Sequence, residues 1–212
     1  MSPPATAESR PYHHGDLRRA LIDAARRLLE SDGPSAMSLR AVAREAGVSP
    51  AAPYHHFKDK GELLDAVAHE GWDLLNDRMT AARAQHASVH AKLAALGVAY
   101  VSFARENPAL YRVMYDGSRD KEGLPDHVHA HDGSAYCQVR DTLVEAGADP
   151  ADTIGLELAT TAAWCAAHGL AEMAGFKQFD PLRESLGGEE AFLRGVFEHM
   201  GIFARGRDDI TD

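Results

Sequence analysis

The fold of this chain is decided by residues 38–60, which read SLRAVAREAGVSPAAPYHHFKDK. In the first half of this stretch, apolar residues recur at i, i+3, i+4 and i+7, the one-sided pattern of a short helix. These residues are Leu39, Val42, Ala43 and Ala46. Ser38 stands at the N-cap position, where its hydroxyl oxygen can accept from the free N–H groups of the first turn. Gly47 can end the helix, because glycine enters the left-handed region without a Cβ penalty.

A second short helix is predicted directly after this turn. Ser49 offers a capping hydroxyl, and Pro50 suits the first helical position. Two short helices joined by a tight glycine turn form a helix-turn-helix, whose second helix lies in the major groove of DNA. Pro53 conflicts with a regular helix here, because it cannot donate to the carbonyl of Ser49. Either the first turn is distorted, or residues 50–52 form a tight lead-in and the helix starts at Pro53.

Helical patterns also flank this motif on both sides. A first helix is predicted over residues 16–31 with Asp16 as its cap, and a long fourth helix over residues 60–85, started by a capping box from Asp59 to Glu62. Five more helices are predicted farther on, with polar connections over 118–133 and 180–188. They span residues 88–106, 109–115, 134–145, 150–174 and 189–205. We find no strand pattern in the sequence, so the predicted fold class is all-α.

Composition narrows the possible classes of protein. Of the 212 residues 45% are apolar, which argues against a disordered chain, and no uninterrupted apolar run approaches membrane-spanning length. The start, Met1 to Ala7, reads as a floppy tail rather than a leader peptide. Two cysteines, Cys137 and Cys165, fit a reducing compartment better than a disulfide framework. We therefore expect a soluble, cytoplasmic protein with no membrane partner.

Charge is distributed unevenly along the chain. The net charge is −10, which taken alone argues against nucleic acid as a partner. Residues 10–60, however, hold nine Lys and Arg against six Asp and Glu, whereas residues 61–212 hold thirteen against twenty-five. A basic N-terminal part on an acidic remainder is expected when only one end of the molecule approaches phosphate.

The N-terminal third of the chain resembles the tetracycline-repressor (TetR) family of transcriptional regulators. Four motifs carry the resemblance: YHHGDLR at 12–18, AREAGVS at 43–49, YHHF at 54–57, and Lys60 before the Leu63–Leu64 pair. Farther on, WCAAHG at 164–169 resembles the Trp-His-Gly (WHG) signature of one C-terminal subgroup of that family. The resemblance implies an N-terminal helix-turn-helix domain over 12–60 and a helical regulatory and dimerisation domain over 61–206. We expect a disordered arm at 1–11 and a tail at 207–212.

The resemblance also implies which residues contact double-stranded operator DNA. Arg40 matches a position that reaches a base edge, where arginine pairs bidentately with guanine, and Lys60 matches a phosphate-contacting lysine. Ala51 and Ala52 are small enough for close approach to bases. The full set of predicted contacts is Ser38, Arg40, Ser49, Ala51, Ala52, Tyr54, His55, His56 and Lys60. Inward packing of the His56 ring is the alternative to a base contact.

Arginines outside this set are expected to contribute less. Arg18 and Arg19 lie near the N-terminal arm, where they either face solvent or touch the DNA backbone or the minor groove. Arg26, Arg27 and Arg44 are expected on solvated helix faces.

A ligand pocket is predicted in the C-terminal domain. Aromatic and sulfur-bearing side chains crowd one part of the sequence, and Trp164 and His168 lie on the helix that the resemblance places beside a cavity. Each has an apolar body and one hydrogen-bonding atom, as small-molecule pockets use. The predicted lining is Tyr100, Phe103, Tyr111, Met114, Tyr115, Trp164 and His168. Core packing or a dimer contact is the alternative for Trp164, His168 and Met173.

Two further sets of residues favour less specific interpretations. His127, His129 and His131 alternate beside Asp126 and Asp132, but without a strand pattern a solvated loop is favoured over a zinc or nickel site. Cys137 and Cys165 could form a redox switch, although buried small hydrophobic side chains are the favoured interpretation. No nucleophile motif or phosphate-binding glycine loop is recognised, so we expect no enzyme activity, no cofactor and no metal.

The predicted function is that of a sequence-specific, homodimeric DNA-binding regulator. The last two predicted helices, 150–174 and 189–205, are the most apolar, and the resemblance implies that they form the dimer contact, with Phe197 as a candidate position in it. We expect a repressor that a small, largely apolar effector releases from its operator. The alternative is a ligand-independent regulator controlled by a protein partner. A large apolar cavity would favour the first interpretation, and a filled core would favour the second.

Overall fold

The computed structural model describes residues 14–116 and 134–200, and within these ranges it contains nine α-helices and no strand. The α-helices are α1 (His14–Asp32), α2 (Leu39–Glu45), α3 (Lys60–Ala84), α4 (Val89–Glu106), α5 (Pro108–Asp116), α6 (Ala135–Glu145), α7 (Thr153–Met173), α8 (Asp180–Leu186) and α9 (Glu189–His199). Short 3-10 helices span Pro34–Ala36, Ala52–His55 and Lys177–Phe179. The all-α class is confirmed. The predicted arm, the tail and positions 201–205 of the predicted last helix lie outside the described residues.

The chain divides into two compact units, whose boundary falls inside α3 between Val67 and Ala68. We call the described residues 14–67 the head and the described residues from 68 onward the body. The boundary lies seven residues beyond the predicted one at residue 60. Leu63 and Val67 explain the difference, because both are fully buried and belong to the head.

In the head, α2 is built by the local signals that its sequence carries. The Ser38 hydroxyl accepts from the Ala41 N–H at 3.1 Å, as an N-cap should. Gly47 has φ 69°, a left-handed conformation that glycine adopts at no cost, and α2 ends just before it. One prediction for the head was wrong: α1 begins at His14, so Asp16 lies within its first turn rather than at its cap.

The capping box predicted at the start of α3 is present in a shifted form. The Asp59 carboxylate accepts from the Glu62 N–H at 3.0 Å. The Glu62 carboxylate reaches back to the Lys58 N–H at 2.6 Å instead of to the N–H of Asp59. Both free N–H groups are satisfied, so α3 begins at Lys60 as predicted.

Helix α4 lies in the core of the body, where it packs against α6, α7 and α9. Its contact with α9 is very close at Gly97, where a Cβ atom would lie 2.6 Å from the Phe197 ring. Phe197 is 1% exposed and fills this space. The prediction of a dimer contact at Phe197 is therefore corrected, since the residue packs inside its own chain.

Two predictions for the body were wrong in detail. Helix α7 begins at Thr153 rather than at Pro150, because Asp152 accepts from the Gly155 N–H at 3.0 Å and acts as the cap. The connection predicted over 180–188 contains the short helix α8, which Gly187 ends at φ 89°. The sequence of α8 gives no apolar stripe that would identify it, because its two leucines, Leu182 and Leu186, are both exposed and none of its residues is buried. No helix in the described parts of the chain is long and apolar enough to cross a membrane.

Candidate functional site

The segment predicted as the DNA-reading helix is a tight 3-10 helix, Ala52–His55, which we call the recognition turn. Its N–H groups bond to carbonyls three residues back, for example Ala52 to Ser49 at 3.0 Å and Tyr54 to Ala51 at 3.2 Å. Pro53 is buried within it and has no N–H to donate. The distortion expected from Pro53 therefore extends over the whole segment, and the regular helix predicted there is replaced by this turn.

Most predicted DNA contacts lie on the surface of the head. Tyr54 is 53% exposed, and Ala52 and His56 are half-buried. The predicted DNA contacts that are exposed are Ser38, Arg40, Ser49, Ala51, Tyr54, His55 and Lys60. These side chains are available to a partner without any rearrangement of the core.

His56 and Lys60 already have roles inside the head. The His56 Nε2 atom is buried and has no hydrogen-bond partner among the described residues, and its ring lies 6.5 Å from that of Phe57. This geometry matches the inward-packing alternative for His56. The Lys60 ammonium donates to the Pro34 carbonyl at 2.9 Å, which fastens the start of α3 to the turn after α1. An ammonium has three donors, so two are left on Lys60 for a contact with phosphate.

The arginines of the head differ in their partners. Arg27 is paired with Glu45 at 3.0 Å, whereas Arg40 and Arg44 are exposed and form no ion pair within the described residues. The Arg18 guanidinium lies 5.3 Å from the centre of the Phe57 ring, in cation–π contact. Unpaired cations thus remain at α2, beside the recognition turn in sequence.

In the body, the structure brings three predicted tyrosines and one histidine into a single hydrogen-bond network. The Tyr100 hydroxyl lies 2.5 Å from that of Tyr115, 3.1 Å from that of Tyr111 and 3.1 Å from Nδ1 of His168. The Tyr111 hydroxyl lies 2.6 Å from the same nitrogen. We call these four residues the tyrosine network. Helices α4, α5 and α7 are linked through it.

Burial fixes the protonation states in the tyrosine network. It raises the pKa of Tyr100 and Tyr115 far above the usual tyrosine value and the pKa of Tyr111 to about 12. It also lowers the pKa of His168, while the nearby Glu172 carboxylate opposes that shift. The network is therefore uncharged at neutral pH. Nδ1 of His168 is engaged within it, and only Nε2 is left for a further partner.

Tryptophan rings extend this cluster to α3. The Trp164 ring lies 5.1 Å from Tyr100, and Trp72 lies 6.2 Å from Trp164 and 5.2 Å from Tyr115. The sequence did not predict that Trp72 belongs to this cluster. Its position already fits the buried face of a helix, so the pattern gives no sign of a further role. The other two predicted pocket residues lie elsewhere. Phe103 is buried but takes no part in these ring contacts, and Met114 packs against Gly71 on α3.

Two spaces adjoin the tyrosine network, and they differ greatly in size. An internal cavity beside Tyr100, Trp164 and Phe197 has a volume of about 20 Å³, room for about one water molecule. An open cleft of about 860 Å³ lies between α4, α5 and α7, and we call it the α5–α7 cleft. Its lining includes Tyr111, Tyr115, His168, Arg112 and Glu172.

The chemistry of the α5–α7 cleft is mixed. Arg112 and Glu172 are exposed, and neither has an ion-pair partner within the part of the chain that the structure describes. Arg105, at the same cleft, is already paired with Glu189. A ligand in this cleft would meet ring surfaces and one free charge of each sign.

Helix α7 presents an apolar outer face. Ile154 is 74% exposed and Leu158 is 66% exposed. Small residues continue the same face, followed by Met173 at 45%. These exposed small residues are Ala162, Cys165 and Gly169. A stripe of this length is unusual on a monomer surface.

The cysteine and metal predictions have different outcomes. Cys137 is buried, as expected, but Cys165 is exposed, so the expectation of two buried thiols was wrong. His127, His129 and His131 lie outside the described residues. Within the described residues, no group of three or more His, Cys, Asp and Glu side chains is placed to hold a metal ion.

Comparison with known protein families finds two that match this chain. A family described as "Bacterial regulatory proteins, tetR family" matches residues 21–67. A second, described as "Tetracyclin repressor-like, C-terminal domain", matches residues 93–196. The HTH-type transcriptional regulator BetI of Rhizobium meliloti (strain 1021) is 34% identical over 108 residues. That match covers 50% of this chain and 53% of BetI, so the chain spans about half the length of this relative.

Solved structures agree with this placement. A protein of unknown function from Rhodococcus sp. RHA1 has 33% identity and a TM-score of 0.73, over 92% of this chain and 97% of that one. A bacterial regulatory protein of the tetR family from Rhodococcus RHA1 shares the fold, with 21% identity and a TM-score of 0.60 over 88% of this chain and 95% of its own. The similar families are regulators, which confirms the expectation that the chain is not an enzyme. With both the head and the body matched, this chain belongs to the TetR family of transcriptional regulators.

Proposed function

We propose that this chain is a homodimeric repressor that binds a roughly palindromic operator and leaves it when a small molecule occupies the body. The observation that supports DNA binding best is the exposed face of the head. Arg40 and Arg44 lie there with no ion pair among the described residues, and Tyr54 and His55 are exposed on the recognition turn. Unpaired arginines beside an exposed reading segment suit phosphate and base-edge contacts.

The proposed dimer rests on the apolar face of α7. A two-fold interface repeats one patch on both copies, so an apolar stripe with small residues in its middle suits close helix packing. Sequence reasoning placed the contact on the last two helices. In the structure Phe192, Leu193 and Phe197 of α9 are buried within the chain, whereas α7 leaves Ile154, Leu158 and Met173 exposed.

The proposed effector site is the α5–α7 cleft rather than a cavity in the core. The predicted residues Tyr111, Tyr115 and His168 line this cleft, whereas Tyr100 and Trp164 support it from behind. The tyrosine hydroxyls bond to one another, so the polar contacts for a ligand would come from Arg112 and Glu172. We therefore propose an effector with an apolar body and polar ends.

Control by a protein partner remains a second candidate, favoured by the filled core. A cavity of about 20 Å³ holds no effector, and the α5–α7 cleft is open to solvent. Release of DNA by a ligand with both ring-stacking and charged groups would support control by a small-molecule effector. Release of DNA only by a protein would support the second.

The proposed function is tested by selecting a duplex from random DNA and then screening metabolites for release of that duplex. We expect at least one metabolite to release the wild-type protein. Glu172→Gln should then change the effector concentration needed for release without changing operator affinity. Glu198→Gln, an exposed glutamate of α9, is the matched control and should behave like wild type. If Glu172→Gln and Arg112→Ala both respond normally, the effector does not bind in this cleft.

A further inference from the structure

The hydrogen bonds of the tyrosine network can be assigned a direction, because the network has fewer protons than contacts. Its three hydroxyl protons serve four contacts, which join Tyr100 to Tyr111, Tyr115 and His168, and Tyr111 to His168. The indole N–H of Trp164 also hydrogen-bonds to the Tyr115 hydroxyl, and an indole only donates. The Tyr115 oxygen therefore accepts from Trp164, and its own proton is available for Tyr100.

Two arrangements of these protons fit the contacts at His168, and only one of them uses every hydroxyl. If Nδ1 accepts, each proton points the same way, from Tyr115 to Tyr100 at 2.5 Å, from Tyr100 to Tyr111 at 3.1 Å and from Tyr111 to Nδ1 at 2.6 Å. If Nδ1 donates to Tyr111 instead, the direction is reversed and the half-buried Tyr115 hydroxyl has no acceptor in the network. The first arrangement is favoured, because burying a donor without an acceptor costs free energy.

His168 therefore presents an N–H group to the α5–α7 cleft. Burial lowers the pKa of its imidazole, and a neutral imidazole carries a proton on one nitrogen only. Since Nδ1 accepts within the network, the proton lies on Nε2. Nε2 has no hydrogen-bond partner among the described residues, and His168 lines the cleft. A ligand atom that contacts Nε2 has to be an acceptor.

A carboxylate lies beside this N–H group. Glu172 follows His168 by one turn of α7, so the two side chains share a helix face. The Glu172 carboxylate is close enough to raise the pKa of both His168 and Tyr111, although burial of His168 outweighs it there. An ionised carboxylate only accepts. A ligand group between Nε2 and Glu172 must accept from the first and donate to the second. A hydroxyl group does both, whereas an ammonium only donates and an ether only accepts.

We propose that the effector is an aromatic hydroxy acid, whose hydroxyl group lies between His168 and Glu172 and whose carboxylate pairs with Arg112. The rings of Tyr111 and Tyr115 line the same cleft and suit an aromatic body. Arg112 is exposed at the cleft, and a guanidinium binds both oxygens of a carboxylate. The inference rests on the effector site proposed above and adds the chemical class of the effector and the role of His168.

The first test measures ligand binding to the full chain by calorimetry, without DNA. The probes are para-hydroxybenzoate, para-hydroxyphenylacetate and para-hydroxycinnamate, which differ in the distance from hydroxyl to carboxylate. Each is compared with counterparts that have hydrogen, methoxy or aminomethyl in place of the hydroxyl. We expect at least one hydroxy acid to bind about tenfold or more tightly than its counterparts, the contribution of a hydrogen bond to a charged group. No binding at millimolar concentration, no preference for hydroxyl, or tighter binding of the aminomethyl compound contradicts the proposal.

A variant of Glu172 separates the two hydrogen bonds of the ligand hydroxyl. A methoxy oxygen can accept from Nε2 of His168 but has no proton for Glu172. Wild type should therefore prefer the hydroxy acid over its methoxy counterpart, and Glu172→Ala should bind the two about equally. Glu198→Ala, at an exposed glutamate of α9, is the matched control and should keep the wild-type preference. If Glu172→Ala also keeps it, Glu172 does not accept from the ligand and the proposal is wrong.

The proton on His168 can be located by nuclear magnetic resonance without ligand or DNA. Long-range proton–nitrogen correlation spectra distinguish the two tautomers of a histidine, and His168→Gln identifies the signals of His168 among those of the twelve histidines. We expect the proton on Nε2 at neutral pH, and a proton on Nδ1 contradicts the inference alone. If a hydroxy acid binds as expected but does not release the selected duplex, the proposed function is wrong and the ligand class stands.

Discussion

The head and the body use their functional side chains in opposite ways. In the head, the predicted DNA contacts are mostly exposed, and Arg40 has no ion pair within the described residues. In the body, the predicted ligand contacts are buried or half-buried, and four of them bond to one another, as Tyr100 does to Tyr111, Tyr115 and His168. A substitution in the head should therefore affect binding, and one in the body should first affect stability.

Because of this difference, substitutions of exposed side chains are easier to interpret than substitutions of buried ones. An exposed side chain contributes little to folding, so its loss reports on the partner. A buried one supports its neighbours, so its loss changes many contacts at once. Trp164→Ala, for example, removes a ring that is 9% exposed and would lower stability by about 3–5 kcal/mol whatever its role in sensing. Substitutions at the edge of the α5–α7 cleft avoid this difficulty.

The largest effect is expected from a charge placed in the core of the body. Phe197→Asp removes a ring packed against Gly97 and buries a carboxylate without a partner, so it should destabilise the chain by at least about 3–5 kcal/mol. That is a large part of the stability of an ordinary domain, so we expect loss of the cooperative unfolding transition. Circular dichroism during heating measures this.

The same charge on the outer face of α7 gives the matched comparison. Leu158 is 66% exposed, so Leu158→Asp should leave the fold intact and yield monomers. Sedimentation at micromolar concentration should show wild-type dimers and folded Leu158→Asp monomers. A folded, dimeric Leu158→Asp protein would place the dimer contact away from this face.

A smaller effect is expected from Arg40→Ala in the head. Loss of a bidentate contact to guanine should reduce discrimination at one base position by about 1–3 kcal/mol. Thermal stability should stay within about 0.5 kcal/mol, because the side chain is exposed. Arg44→Ala is the matched control and should weaken binding slightly and equally for all sequences. Competition binding with operator duplexes changed at single positions measures this, and equal base preference in the Arg40→Ala and wild-type proteins would remove Arg40 from base recognition.

The smallest effect is expected from the pH dependence of His168. Burial lowers its folded-state pKa below the usual value of about 6.5, so the unfolded chain binds more protons between the two pKa values. Stability from the neutral imidazole is therefore present above pH ~6.5 and is lost as the pH falls through the folded-state pKa. Glu172 opposes this loss, and the tyrosines facing His168 stay protonated throughout. The melting temperature of wild type should fall more than that of His168→Gln over this acid range, and equal falls would exclude the effect.

Local signals explain which parts of the fold the sequence could predict. Ser38, Gly47 and the Asp59–Glu62 box act within a few residues, and the structure places all of them at helix ends. The conflict introduced by Pro53 was also visible, although its extent depended on how the recognition turn packs. The short helix α8 was missed because it buries none of its residues and so shows no apolar stripe.

The candidate ligand site depended on long-range packing and was predicted only in part. Five of its seven residues meet in one cluster, since aromatic side chains crowded in sequence tend to share a core. Trp72, Arg112 and Glu172 were not predicted, because their proximity depends on how α3, α5 and α7 pack. Mutual hydrogen bonding of the tyrosines also could not be read from spacing alone.

The salt dependence of binding to a selected duplex tests whether the exposed face of the head reads DNA. A protein that neutralises six to ten phosphates should lose about 10³- to 10⁵-fold in affinity between ~50 and ~200 mM salt. We predict enrichment of a roughly palindromic duplex, a fall in affinity of this size, and a uniform weakening across sequences in Lys60→Ala. Binding that does not change with salt, or no enriched duplex from random DNA, would contradict DNA reading by this face of the head.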